Sequence, residues 1–136
     1  MSKSFVLDCS VAMAWSFKEE QCHYSTSVLN MLENSVAVVP FLWDLEITNT
    51  VINGERRKKT NHNNTFVFLE FLNTLNITRS LFMPSREELV IASRSYDLTS
   101  YDALYLMLAM HEKLPLATKD KALIMACDIV GVELLR

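Results

Sequence analysis

The sequence predicts an α/β domain of three layers, with helices on both faces of a central, mainly parallel sheet of four to five strands. Short apolar runs alternate with longer segments of helical periodicity along the whole chain. One of those runs, Val36 to Val39, is unbroken, as expected of a strand covered on both faces. Four acidic residues, Asp8, Glu46, Asp102 and Asp120, each stand where an apolar strand or run gives way to a polar, helix-starting segment. In an open parallel sheet such junctions gather along one edge, where ligands bind.

The elements follow in order. Phe5-Val6-Leu7 reads as a strand ending at Asp8, and Ser10 is placed to cap a helix carrying Val11, Ala14, Trp15 and Phe17. A second helix is expected over Glu19 to Asn34, with Tyr24, Val28, Leu29 and Leu32 near helical spacing. The Val36 to Val39 strand stops at Pro40, which cannot donate to a ladder. Leu42 to Lys59 reads as a helix in which Leu42, Leu45, Asn49 and Ile52 share one face, with Gly54 a weak point. Asn61 to Asn76 is another helix, with a very wide apolar side that includes Phe66, Phe68 and Phe71. Ile77 to Ser80 is a brief strand. Ser85 and Glu88 form a capping box for a helix running to about Tyr96, and Thr99 with Asp102 makes a looser version for the next. Leu114 to Thr118 reads as a strand, and Asp120 opens a last helix through about Val130. Gly131 ends that helix before a terminal edge strand, Val132 to Leu135.

At 136 residues the chain fits one domain spanning 1–136, and its 50% apolar and 21% charged residues match a compact core. The longest unbroken apolar run, Ala103 to Met110, is far below the ~18 residues of a spanning helix, so no membrane is expected and the cytoplasm is the default location. Cys9, Cys22 and Cys127 form no CxxC pair and read as buried free thiols. The net charge of −3 argues against a general nucleic-acid coat protein. Arg56-Arg57-Lys58-Lys59 nevertheless concentrates four of the thirteen basic side chains in one local patch.

Taken singly, Asp8, Asp102 and Asp120 are explained equally well as helix caps or first-turn charges. Glu46 resists that reading, because it lies between Leu45 and Ile47 and shares a stripe with Asn49, Asn53 and, at i+11, Arg57. The stripe leads from an acidic ridge to the basic patch, an arrangement suited to a phosphate backbone. Hard oxygen donors gathered at a sheet edge suit Mg²⁺ or Mn²⁺. Two such charges ~6 Å apart at an effective dielectric of ~20 repel by about 3 kcal/mol, so a cluster without a cation is costly. His23, His62 and His111 fall in helices or helix starts and read as surface or packing residues, and Asp44 and Asp97 as solvated charges.

Four blocks together resemble a known family. Phe5-Val6-Leu7-Asp8-Cys9-Ser10 resembles the opening hydrophobic-D-x-S of PIN-domain ribonucleases. Leu42-Trp43-Asp44-Leu45-Glu46-Ile47-Thr48-Asn49 is similar to their second block, and Tyr101-Asp102-Ala103 with Tyr105-Leu106 to their third. Thr118-Lys119-Asp120 followed by Lys121-Ala122-Leu123 is similar to the fourth. Ala122 stands where many members carry a polar residue.

The size and the Trp43 block look most like VapC-type toxins of bacterial toxin–antitoxin pairs. The resemblance implies a metal-dependent endoribonuclease in which Asp8, Glu46, Asp102 and Asp120 hold one or two Mg²⁺ or Mn²⁺ ions. Ser10, Asn49 and Thr118 would support them, and Arg56, Arg57, Lys58 and Lys59 would bind RNA. It further implies a cognate antitoxin, and the apolar excess of Phe66, Phe68 and Phe71 makes their helix a candidate for its groove or for the contact of a homodimer.

Rival readings fit less well. A phosphoryl-accepting receiver needs an acid pair after the first strand, whereas Asp8 is followed by Cys9-Ser10. A haloacid-dehalogenase-type phosphatase needs Asp-x-Asp, and Ser10 takes the second place. Gly54 and Gly131 alone cannot build a phosphate-cradling glycine loop. A non-catalytic module acting through a protein partner remains the alternative, separated by whether purified protein cuts RNA.

Overall fold

A computed structural model describes residues 3–17 and 21–136. Four strands form one sheet, in the order β3-β2-β1-β4: β1 (Lys3–Leu7), β2 (Ser35–Pro40), β3 (Ile77–Ser80) and β4 (Leu116–Ala117). Every pairing is parallel, with Val6 opposite both Val38 and Leu116. β1 lies inside the sheet, and for that reason Phe5, Val6 and Leu7 are buried in succession instead of alternating. The expected terminal strand is reduced to a single parallel bridge between Leu134 and Leu116, leaving β4 at two residues, shorter than Leu114 to Thr118.

Seven helices are described: α1 (Cys9–Met13), α2 (His23–Met31), α3 (Leu42–Arg56), α4 (His62–Asn73), α5 (Arg86–Tyr96), α6 (Ser100–Glu112) and α7 (Lys121–Val130). The chain moves outward from β1 to β2 and β3, then returns to β4 on the other side of β1. With right-handed crossovers, that reversal puts the first helices on one face and the later ones on the other. In agreement, α1 packs on α2 and α3, while α6 packs on α5 and α7.

The expected boundaries are corrected in several places. α1 ends at Met13, so Trp15 and Phe17 follow it in turns, where the Trp15 indole donates to the Ser25 carbonyl at 2.8 Å. α2 begins at His23, and the part of the expected helix at Glu19 and Glu20 lies outside the described residues. Its N-cap is Cys22, which is exposed, unlike the buried Cys9 and Cys127. α4 is shorter than Asn61 to Asn76, because Asn61 serves as its cap and accepts from the Asn64 N–H at 2.9 Å.

α3 turns a different face to the core from that of Leu42, Leu45, Asn49 and Ile52. Trp43, Ile47, Val51 and Gly54 are its buried residues, whereas Leu45 is 59% exposed. The indole of Trp43 has the most apolar surface to hide on this helix and sets its rotation. Gly54 belongs to that packing, since a Cβ there would meet Cζ of Phe17 at 2.9 Å. Asp44 is more than a solvated charge: Arg79 of β3 donates to both its oxygens, at 2.6 and 2.7 Å. Ser85 and Glu88 make the expected reciprocal capping box on α5.

Candidate active site

The return of the chain from β3 to β4 makes the β1/β4 boundary the topological switch point of the sheet, where the ends of adjacent strands open a crevice. A cleft of about 450 Å³ lies there, lined by Asp8, Ser10, Glu46, Asn49, Asp102 and Asp120 among others. All four acids named by the sequence therefore line one cleft, although they come from the β1–α1 turn, α3, α6 and the β4–α7 turn.

Asp8 is 5% exposed and occupies the N-cap position of α1, but its side chain does not cap the helix. Its Oδ2 instead accepts the hydroxyls of Ser10 at 2.7 Å and of Thr118 at 2.8 Å. Ser10 thus braces the carboxylate and does not cap α1. The same hydroxyls accept in turn: Ser10 from the Lys119 N–H at 3.1 Å, and Thr118 from the Asp120 N–H at 3.0 Å. Two of those four bonds, Thr118 to Asp8 and Lys119 to Ser10, stitch the turn after β1 to the turn after β4. Asp120 both faces the cleft and caps α7, its Oδ2 accepting from the Leu123 N–H at 2.9 Å.

Asp102 enters through α6, whose N-cap Thr99 accepts the Asp102 N–H at 3.1 Å. Glu46 is held by a residue for which the sequence supplied no role: the hydroxyl of Tyr105 donates to its Oε1 at 2.5 Å. Lys119 also lines the cleft unforeseen, the only cation among its lining residues. Its place between Thr118 and Asp120 was the available signal, as the spacing of Tyr105 three residues after Asp102 was for the other.

The electrostatics are those of crowded like charges. Burial pushes Asp8 up from the usual carboxylate range, and the Asp120 charge adds to it, against the pull of the Ser10 and Thr118 hydroxyls. Burial likewise raises Glu46, with the Tyr105 bond opposing and Asp8 and Asp102 reinforcing. Asp102 is pushed up to about 6, first by burial and then by Asp120 and Asp8. Each of these three acids thus feels at least one other.

Whether the cleft suits a divalent ion follows from its donors. Among the described residues, no three carboxylate, imidazole or thiol groups stand together as a ready cage. Mg²⁺ does not require one, since it keeps several waters and commonly uses one or two carboxylates plus substrate phosphates. Mutually repelling hard oxygens around a small open cleft fit that style of binding.

The larger hollow is a groove of about 750 Å³ between α3, α4 and the turn after α1, lined by Trp15, Phe17, Val67, Phe68 and Phe71 and by Arg57 and Lys59. Thr50 lines both groove and cleft, so the two adjoin. The basic run divides here. Arg57 ends α3, Lys58 takes a left-handed conformation with φ of 59°, and of the four only Arg57 and Lys59 line the groove. None of the three histidines lines the cleft; His62 lies 3.4 Å from Glu55, and His111 stacks on Phe82.

The fold is shared with solved structures. Protein PAE2754 of Pyrobaculum aerophilum is similar at 21% identity and a TM-score of 0.70, over 93% of this chain and 87% of that one. VapBC2 of Rickettsia felis, solved bound to a DNA fragment from its promoter, is similar at 13% identity and 0.65, over 97% of each chain. A domain of a functionally unknown protein from Methanocaldococcus jannaschii gives 19% and 0.55, over 99% and 92%. No curated protein sequence matches the chain significantly. The family model of the PIN domain matches residues 5–128, a span that contains every acid of the cleft. On that match, and with its acids gathered at the switch point of a parallel α/β sheet, the chain belongs to the PIN-domain family, whose members are typically nucleases.

Proposed function

We propose that this protein is a metal-dependent endoribonuclease, the VapC-type toxin of a toxin–antitoxin pair, acting in the cytoplasm to inhibit translation or growth. The observation that supports it most is the convergence of Asp8, Glu46, Asp102 and Asp120 on one cleft in a PIN-family chain. Those four residues would hold Mg²⁺ or Mn²⁺. Such an ion, when bound, supplies the positive charge that lowers the pKa of water and neutralises the scissile phosphate and leaving oxygen.

The chain's own groups do the rest. Ser10 and Thr118 keep Asp8 oriented toward the cleft. Asn49, exposed on the cleft wall, is available to a phosphate oxygen. Arg57 and Lys59 attract the RNA backbone along the adjoining groove.

An antitoxin segment fits the same groove, laying apolar side chains on Phe17, Val67 and Phe71 and directing a basic one across Thr50 into the acids. The complex of VapBC2 is in keeping with such a partner. A homodimer belongs to the same reading, since Leu81, Val90 and Ile91 are exposed outside the groove, and sedimentation of the purified protein tests it. The open arrangement of the acids also suits a non-catalytic module that works through a partner.

Cleavage decides between the two. Purified protein with Mg²⁺ or Mn²⁺ should cut RNA and leave a 5′-phosphate and a 3′-hydroxyl, because water is the nucleophile and the 2′-hydroxyl is not needed. A single 2′-deoxy sugar at the cut position should be tolerated, and chelator should stop the reaction. Cyclic-phosphate ends, or cutting that survives chelation, would sink the mechanism.

A further inference from the structure

Tyr105 is a completely buried phenol whose hydroxyl, among the described residues, bonds only Oε1 of Glu46, at 2.5 Å. Its position is fixed twice over. The ring lies in the core, and Tyr105 follows Asp102 by three residues on α6, so helix geometry puts both side chains on the same side. Glu46 arrives from α3 and meets the hydroxyl at the back of the cleft. Among the described residues no hydrogen bond is recorded to its second oxygen, Oε2, and its side chain lines the cleft. One oxygen is thus engaged by the protein and one is left for whatever the cleft binds.

Resting on the reading of the cleft as a cation site, we infer that Tyr105 makes Glu46 a one-oxygen donor and thereby selects small octahedral cations of the Mg²⁺ and Mn²⁺ class against Ca²⁺. Ca²⁺ is served by six to eight oxygens in flexible geometry, and a two-oxygen carboxylate supplies two of them at once. Mg²⁺ demands near-octahedral geometry and works with one or two carboxylate oxygens and retained waters. A Glu46 free to rotate would offer both modes. A Glu46 held through Oε1 favours the second, because that oxygen already gives a lone pair to Tyr105 and can no longer turn freely toward an ion. Tyr105 touches neither substrate nor ion in this arrangement, so it is a positioning residue.

The test titrates Mn²⁺ and Ca²⁺ separately, by calorimetry and without RNA, into the parent protein and into Tyr105→Phe, which keeps the buried ring. The parent should bind Mn²⁺ at least tenfold more tightly than Ca²⁺. In Tyr105→Phe, Mn²⁺ should weaken by about tenfold, the usual effect of losing an outer partner of a ligand. Ca²⁺ should hold or tighten, so that the preference collapses. The added Ca²⁺ affinity should vanish again in Tyr105→Phe/Glu46→Gln.

Equal weakening of both ions is what a merely structural tyrosine would give, and it would overturn the inference, as would no change in either ion. A parent that prefers Ca²⁺ overturns it without any variant. A parent that binds neither ion overturns the cation-site reading and this inference with it, whereas a parent that binds Mn²⁺ with an unaltered preference in the variant leaves that reading standing.

Discussion

Asp102 titrates under three influences at once: partial burial and the charges of Asp120 and Asp8. Its carboxyl titrates near 6 in the fold against 3.8 when unperturbed, so between those values the native state binds more protons than the unfolded chain. The contribution of Asp102 to stability in chelator should therefore be greatest below about pH 4 and fall as pH rises from about 4 through about 6. The loss should be on the order of 1 kcal/mol once solvent screening of a half-exposed carboxylate is allowed for. Melting curves of Asp102→Asn should be flatter over the same window, and at pH 7 in chelator the variant should be no less stable than the parent.

Asp8→Asn should likewise keep its fold, since an amide oxygen can still accept from Ser10 and Thr118, while RNA cleavage is lost. Asp120 separates its two roles: Asn is as good a cap and should cost only activity, whereas Ala should also cost about 1 kcal/mol. At this scale the family resemblance names Ser10 and Thr118 as supports, whereas local spacing alone reads Ser10 as a helix cap. Asp8 with Ser10, and Thr118 with Asp120, are bonded neighbours two residues apart. The sequence was silent on the Glu46–Tyr105 bond, which exists only because α3 and α6 meet in three dimensions.

Helix α3 shows what periodicity can and cannot give. The stripe Glu46, Asn49, Asn53 and Arg57 was legible and does run from cleft to groove. The buried face was not, because an amphipathic helix with Leu45 and Ile52 on one side and Trp43, Ile47 and Val51 on another leaves two apolar stripes to choose from. Tertiary packing chose the one with the indole.

The proposed RNA contact lies at the end of α3. Arg57 and Lys59 line the groove, but Arg56 and Lys58 do not. Neutralising Arg57 and Lys59 to Gln should weaken single-stranded RNA binding and reduce the slope of log affinity on log salt by about 1.4, roughly 0.7 for each lost phosphate contact. The same change at Arg56 and Lys58 should have a much smaller effect. Fluorescence anisotropy at several salt concentrations distinguishes the pairs, and equal effects would reduce the run to general surface charge.

At the scale of the molecule, the parallel α/β sheet and its cleft-bearing edge were readable from the alternation of runs and from the placement of four acids. The order β3-β2-β1-β4 was not, since nothing local tells a strand of two residues such as β4 that it must lie beside β1. That order has a consequence in time. Asp8 directly follows β1, yet the Thr118 hydroxyl that braces it, and the Ala117 carbonyl that accepts its N–H at 3.0 Å, come more than a hundred residues later. A polypeptide still growing on a ribosome has no β4 to close the switch point, and Asp8 then has its Ser10 neighbour but lacks the Thr118 brace. Completion of the cleft is thus a late event set by topology alone, since Asp8 and Ser10 meet their partners only once residues 117–119 have left the ribosome.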